Sequence, residues 1–184
     1  MTRRDLPNLI TLLRILLVAP LIWALLDGAY GTALALFLVA AGSDGLDGFL
    51  ARHFGWQSQL GAMLDPVADK LLLVALYVSL GVIGFTPWWL VLAVVARDLL
   101  IMGGALAYRL LVGRLDMAPT LLSKLNTVLQ LTLVLVAILA RGLGWLPHWS
   151  ADLLIYAVAA STVLSGIHYV ATWSRRAWQE THQA

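Results

Sequence analysis

Cysteine is absent from this 184-residue chain, and charged side chains make up only 12% of it. Without cysteine there is no disulfide scaffold. Soluble domains carry about 25% charge, so half the usual complement is missing, while 61% of the residues are hydrophobic and the mean hydropathy is +0.86. Those values exclude a water-soluble domain and a disordered chain. A basic face for nucleic acid is lacking as well: the net charge of +2 is the small difference between 12 Lys+Arg and 10 Asp+Glu spread along the chain. What the sequence does have is apolar length, enough for about six membrane helices at ~20–25 residues each.

Apolar runs divided by turn signals give six spans, roughly Leu6 to Leu26, Tyr30 to Arg52, Leu60 to Gly84, Trp88 to Leu111, Pro119 to Ala140 and Ser150 to Trp173. The breaks carry stop chemistry at Asp27-Gly28, Gly55, Gly84 with Pro87, and Gly142, Gly144 and Pro147. Alternation of period two is nowhere visible, so the expected fold is all-α rather than a membrane barrel. No repeat or soluble insertion interrupts the pattern, and residues 1–184 read as a single transmembrane domain.

Loop charges set the expected orientation. Arg3, Arg4, Arg52, Arg109, Arg114, Arg175 and Arg176 fall on one side, against Arg141 alone on the other, which puts both termini in the cytoplasm. Trp88, Trp89, Trp145 and Trp149 then mark the outer rim, and Trp56, Trp173 and Trp178 the inner one. Arg14 interrupts the first apolar run and no small-residue cleavage site closes it, so Met1-Thr-Arg-Arg reads as the start of the first helix rather than a signal or transit peptide. That favours a bacterial cytoplasmic (inner) membrane.

Ionisable residues inside a span ask for a function or a partner. Asp44 and Asp47 are i,i+3 near the cytoplasmic end of the second span, and Asp65 and Asp69 are i,i+4 near the start of the third, so each pair shares a helix face. A short connection makes the two helices antiparallel neighbours whose pairs can face one another, on the order of 10–15 Å below the boundary. Four anions that close need counter-charge, and all-oxygen ligation points to Mg²⁺, Mn²⁺ or Ca²⁺. Two such ions bridged by shared carboxylates would suit phosphoryl transfer. Gly45, Gly48, Ala51 and Gly61 allow close helix approach and leave room for a phosphate, with Arg52 placed for its oxygens. Intramembrane acids also fit a divalent-cation or proton-coupled transporter, although that reading wants charges near the midplane and an internal repeat.

In order, these residues read Asp44-x2-Asp47-Gly48-x2-Ala51-Arg52-x8-Gly61-x3-Asp65-x3-Asp69. This resembles, position for position, the signature of the CDP-alcohol phosphatidyltransferase family. The resemblance implies six helices, cytoplasmic termini, a homodimer, and attack of an alcohol on the β-phosphorus of a CDP-activated lipid with release of CMP. It further implies that Asp44, Asp47, Asp65 and Asp69 ligate two divalent ions, Mg²⁺ or Mn²⁺, and that Asp69 is also the catalytic base. Gly48, Ala51, Arg52 and Gly61 would line the CDP-lipid pocket. Pro7-Asn8-x2-Thr11-x2-Arg14 resembles the family's amino-terminal pattern, which lies near the nucleotide and would add Asn8 and Thr11.

Acceptor choice is read from two further stretches, Arg97-Asp98 in the fourth span and Ser123-Lys124-x-Asn126-Thr127-x2-Gln130 in the fifth. They resemble most the family branch that joins CDP-diacylglycerol to phosphatidylglycerol, giving cardiolipin and CMP. The nearest alternative uses glycerol 3-phosphate and usually has a second lysine where Asn126 stands. Losing that cation favours the lipid, which carries a single phosphodiester charge. Arg97, Arg109, Lys124 and Asn126 are the expected acceptor-binding residues. Structural pairing or snorkelling is the competing reading for Arg97, Asp98, Arg109 and Lys124. Arg97 and Asp98, ~100° apart on a helix, are not expected to pair face to face. His168 reads as a packed polar residue, and Gly103-Gly104 and Ser165-Gly166 as packing positions.

Overall fold

The computed structural model describes the backbone of residues 6–54, 59–111, 120–144 and 148–183, and the side chains of 9–43, 67–104, 120–144 and 149–173. The described elements are six helices: α1 (Leu6–Leu26), α2 (Tyr30–Phe54), α3 (Gln59–Val82), α4 (Trp88–Leu111), α5 (Leu121–Leu143) and α6 (His148–Gln183). A helix satisfies its own backbone groups, which is what apolar segments of this length require in lipid. Among the described residues, Leu9–Leu26, Leu121–Leu143 and Trp149–Trp173 are long and apolar enough to cross a membrane, and Tyr30–Ser43 is a shorter apolar helix.

Helix ends follow the turn chemistry. Gly28 takes φ 77°, and beyond α1 Ala29 N donates to Ala24 O at 2.8 Å and Gly28 N to Leu25 O at 3.3 Å. Those two bonds satisfy the last carbonyls of α1, and the left-handed backbone that makes them possible favours glycine. Gly84 ends α3 in the same way: its φ is 69°, Phe85 N bonds Leu80 O at 2.9 Å and Gly84 N bonds Gly81 O at 3.1 Å. α5 begins at a hydroxyl cap, where Thr120 Oγ1 accepts from Ser123 N at 3.2 Å. α6 is the departure from expectation. Its 36 residues span about 54 Å and continue ten residues past Trp173.

The chain divides into two compact units. Residues Met1–Thr86 and Val134–Leu146 form the first, Pro87–Leu133 and Pro147–Ala184 the second, and α5 contributes to both. In the first unit α1 packs against both α2 and α3, with Leu21, Leu25, Phe37, Leu76, Tyr77 and Leu80 nearly or wholly enclosed. One end of this unit is tied together by Arg141, whose Nη2 donates to Ile83 O at 2.8 Å, and by Gly142, where a Cβ would lie 3.0 Å from Tyr30 Cβ. The arginine thus finds a carbonyl just past the end of α3, where a cation is favoured. In the second unit α4 packs on α6. Trp89 stacks on Tyr156 with centroids 6.3 Å apart, and Trp173 meets Tyr169 edge-on. Gly104 makes that corner possible, because a Cβ there would fall 1.5 Å from Trp173 Cζ3. The neighbouring Gly103 faces open space.

Polarity is inverted relative to a soluble protein. Arg14, Arg97, Asp98, Asn126, Gln130, Ser161, Thr162 and Ser165 are buried, whereas Leu16, Trp23, Leu92, Leu99, Leu121, Leu153 and Ile167 are more than half exposed. An apolar exterior around a polar interior is the arrangement a bilayer stabilises. His168 was expected to pack inside and instead faces outward. Its neighbours Ile167 and Val170 are exposed too, while the inward positions of this helix stretch go to Ser165 and Tyr169.

Candidate active site

Thr11 and Arg14 lie three residues apart on α1 and so share a face, and both side chains are wholly enclosed. Arg14 Nη1 donates to Asp69 Oδ1 of α3 at 2.5 Å. The burial of the two partners is unequal: the arginine side chain is 0% exposed and that of Asp69 43%. α1 therefore delivers a sealed cation to a carboxylate that solvent and ligands can reach. Arg14 is about 12 Å along α1 from Leu6 and Asp69 about 15 Å along α3 from Gln59.

Asp44, Asp47, Gly48, Ala51 and Arg52 belong to α2, Gly61 and Asp65 to α3, Asn8 to α1 and Arg109 to α4. Their side chains lie outside the described residues, as does the expected facing of the two aspartate pairs. Among the described residues no three His, Cys, Asp or Glu converge, since Asp69 is the one aspartate of the four described in full. The donor chemistry still fits: four carboxylates on two helices that both pack on α1, one of them accessible, are an all-oxygen set suited to a hard divalent cation. A cavity of about 410 Å³, lined by Ala19, Pro20, Trp23, Asp27, Thr32 and others, lies toward the far end of α1 from Arg14 and contributes nothing to this chemistry.

The second unit holds a separate polar seam. Arg97 Nη1 donates to Asp98 Oδ1 at 2.7 Å, and Nη2 donates to Ser123 Oγ and Ser165 Oγ, each at 2.7 Å. This corrects the expectation that neighbouring positions 97 and 98 cannot pair. The angle between Cβ directions does not limit a side chain as long as arginine's, and with both side chains only 4% and 3% exposed, pairing is the least costly arrangement. Asn126 Oδ1 accepts from Ser161 Oγ at 2.7 Å and Thr162 Oγ1 at 2.9 Å, and its Nδ2 has no hydrogen-bond partner among the described residues.

The four expected acceptor residues are therefore not brought together by what is described. Arg97 and Asn126 are enclosed between helices, Lys124 is exposed, and Arg109 lies outside the described side chains. Lys124 and Asn126 are two positions apart, about 200° around α5, which explains their opposite surroundings. From the sequence, Arg14 reads as a cation interrupting the first apolar run and as part of the amino-terminal pattern, with no role given to it at the site. Ser161 and Thr162 are not singled out there and Ser165 reads as a packing position, although the three share a helical face in an apolar span, the pattern of interhelical hydrogen bonding.

Exposed apolar side chains over buried polar ones, on helices throughout the described residues, define a membrane-embedded protein, and within it the Asp69 carboxylate stays accessible. The model of the family described as CDP-alcohol phosphatidyltransferase matches residues 4–173, and the chain belongs to that family: it is a transferase of phospholipid biosynthesis. It is similar to a probable phosphatidylglycerophosphate synthase of Mycobacterium tuberculosis, at 33% identity over 174 residues covering 91% of this chain and 80% of that one. It is also similar to a cardiolipin synthase (CMP-forming) of Rattus norvegicus, 32% over 179 residues, 89% of this chain and 59% of the relative. A chloroplastic CDP-diacylglycerol–glycerol-3-phosphate 3-phosphatidyltransferase 1 of Oryza sativa matches at 32% over 183 residues, 90% of this chain and 56% of the relative. An enzyme of this family is not the transporter that intramembrane acids also allowed.

Proposed function

We propose that this chain is a cardiolipin synthase, transferring the phosphatidyl group of CDP-diacylglycerol to phosphatidylglycerol with release of CMP. In this reading residues 1–184 act as one transmembrane domain with six spans and both termini cytoplasmic, in a bacterial inner membrane and as a homodimer. Asp44, Asp47, Asp65 and Asp69 hold two divalent ions, Mg²⁺ or Mn²⁺, and these, when bound, neutralise the diphosphate and polarise the reacting phosphorus.

The chain's own residues do the rest. Asn8, Gly48, Ala51, Arg52 and Gly61 bind the CDP-lipid, with Arg52 on a phosphate oxygen, whereas Thr11, expected beside them, is wholly enclosed and supports the pocket from behind. Asp69 takes the proton of the acceptor hydroxyl as its oxygen bonds to the β-phosphorus, while the bond from that phosphorus to the CMP oxygen breaks and CMP leaves. The observation that carries this role is the accessibility of the Asp69 carboxylate beside a sealed guanidinium. Arg97, Arg109, Lys124 and Asn126 are assigned to the acceptor side, Arg97 through the seam it organises.

A neutral Asn126 in place of a second lysine supports a lipid acceptor over glycerol 3-phosphate. The second reading, phosphatidylglycerophosphate synthase, draws support from the mycobacterial relative, which is matched over 80% of its length against 59% for the rat cardiolipin synthase. An acceptor panel on the purified protein, with CDP-diacylglycerol, Mg²⁺ or Mn²⁺ and both acceptors present, separates the two by product mass. Cardiolipin is the expected product. Phosphatidylglycerophosphate without cardiolipin establishes the second reading instead.

A further inference from the structure

Arg14 occupies the middle of an apolar helix, an expensive place for a cation, and it is not the sole means by which α1 meets α3. Leu21 and Leu25 on α1 and Leu72, Leu73, Leu76 and Tyr77 on α3 are at most 5% exposed and supply apolar packing without it.

Its geometry points to a different task. The guanidinium side chain is wholly enclosed, whereas the carboxylate it bonds is 43% exposed. The contact is made to one named oxygen, Oδ1, across 55 positions of sequence and two separate helices. A planar guanidinium fixes the direction of a carboxylate in a way that a point charge cannot.

We propose that Arg14 is a positioning residue for Asp69: it holds the carboxylate in the orientation from which the acceptor's proton is received, and it acts on the reaction through that carboxylate. The inference rests on the assignment of Asp69 as the base. Asp69 without its holder samples rotamers that miss the hydroxyl, and misplacement of about 1 Å costs on the order of 10²-fold in rate.

The test is a series of Arg14 variants of the full chain in detergent or nanodiscs. Arg14→Met should lower kcat about 10²-fold while KM for CDP-diacylglycerol stays within about threefold. Its Tm should not fall, because methionine suits an apolar helix and Asp69 keeps access to water. Arg14→Lys keeps the charge but not the fork and should recover only part of kcat. Two readouts are independent of turnover: CDP-diacylglycerol affinity without acceptor, and Mn²⁺ affinity by electron paramagnetic resonance, both expected within about threefold of the parent.

The proposal is overturned by Arg14→Met with kcat within twofold of the parent, by full kcat in Arg14→Lys, or by a loss of kcat that comes with a raised KM and a lowered Tm, the mark of a structural tie. Should the methionine variant fail to assemble, Arg14→Gln carries the same comparison. Asp69→Asn run in parallel separates the two levels of the argument. An inactive Asp69→Asn beside a fully active Arg14→Met defeats the Arg14 inference alone, whereas a fully active Asp69→Asn defeats the assignment of the base.

Discussion

Among the described residues each unit buries one arginine and pairs it with an aspartate, and the two pairs are built in opposite ways. Arg14 reaches a carboxylate on another helix that remains 43% exposed, while Arg97 folds onto the next residue in the chain and both side chains are at most 4% exposed. Arg97 also collects two serine hydroxyls from α5 and α6. The same chemistry would serve the proposed base in one place and joins three helices in the other, and the exposure of the anion tells them apart. A carboxylate kept accessible can exchange protons or meet ligands. A carboxylate sealed with a guanidinium is out of reach of ligands, and here it is that guanidinium, through Ser123 and Ser165, that ties α4 to α5 and α6.

The comparison breaks most visibly at the aspartates. Asp69→Asn removes the proposed base and should lower CMP release by about 10²–10⁴-fold, the usual contribution of a general base, with CDP-diacylglycerol binding retained. Turnover near the parental value would place the chemistry elsewhere. On the sealed pair the effect should move from rate to stability. Arg97→Met leaves Asp98 charged in an apolar interior and should cost about 3–5 kcal/mol, read as a large drop in Tm. Adding Asp98→Leu should restore much of the loss, since replacing both members of a buried pair by apolar groups is often neutral. If the single variant unfolds no earlier than the parent, the seam is not what holds α4, α5 and α6.

A smaller effect is expected where backbone and ring meet. Gly104→Ala puts a Cβ into the space of the Trp173 ring, so the indole must move, at about 1–3 kcal/mol. Gly103→Ala, one position away with open space around it, should be neutral or stabilise slightly through helix propensity, by up to ~1 kcal/mol. Equal Tm values for the two alanine variants would show that the Trp173 contact contributes little.

Much of the fold was legible because lipid leaves an apolar segment few alternatives to a helix. The expected spans at Leu6 to Leu26 and Trp88 to Leu111 coincide with α1 and α4, and Gly28, Gly84 and Gly144 adopt the positive φ that their turn signals implied. The end of α6 was not legible, because Trp173 ends the apolar run but not the hydrogen-bond ladder, and a helix continues through polar residues without penalty once it leaves the bilayer. The aspartate signature could be read from spacing alone, since i,i+3 and i,i+4 are local. The Arg14–Asp69 bond joins positions 55 apart, and no helical period connects them. The Arg97–Asp98 bond was misjudged for the opposite reason, because backbone direction was given more weight than side-chain reach.

The smallest effect bears on acceptor choice. Asn126 is wholly enclosed and receives hydrogen bonds from Ser161 and Thr162. Ser161→Ala removes one of the two, and interhelical hydrogen bonds in membranes average ~0.6 kcal/mol, so Tm should fall by only a degree or two. Asn126 keeps the Thr162 bond, but with one partner instead of two its amide is held less firmly. If the seam merely packs, products formed from a mixture of phosphatidylglycerol and glycerol 3-phosphate should keep the parental ratio. If Asn126 helps to reject the more highly charged acceptor through its fixed amide, loosening that amide should shift the ratio toward phosphatidylglycerophosphate while Tm barely changes. A shift in ratio without loss of stability assigns Asn126 to specificity. An unchanged ratio makes it a partner of Arg97 in cohesion and leaves exposed Lys124 as the described acceptor-side residue still free to meet a phosphate.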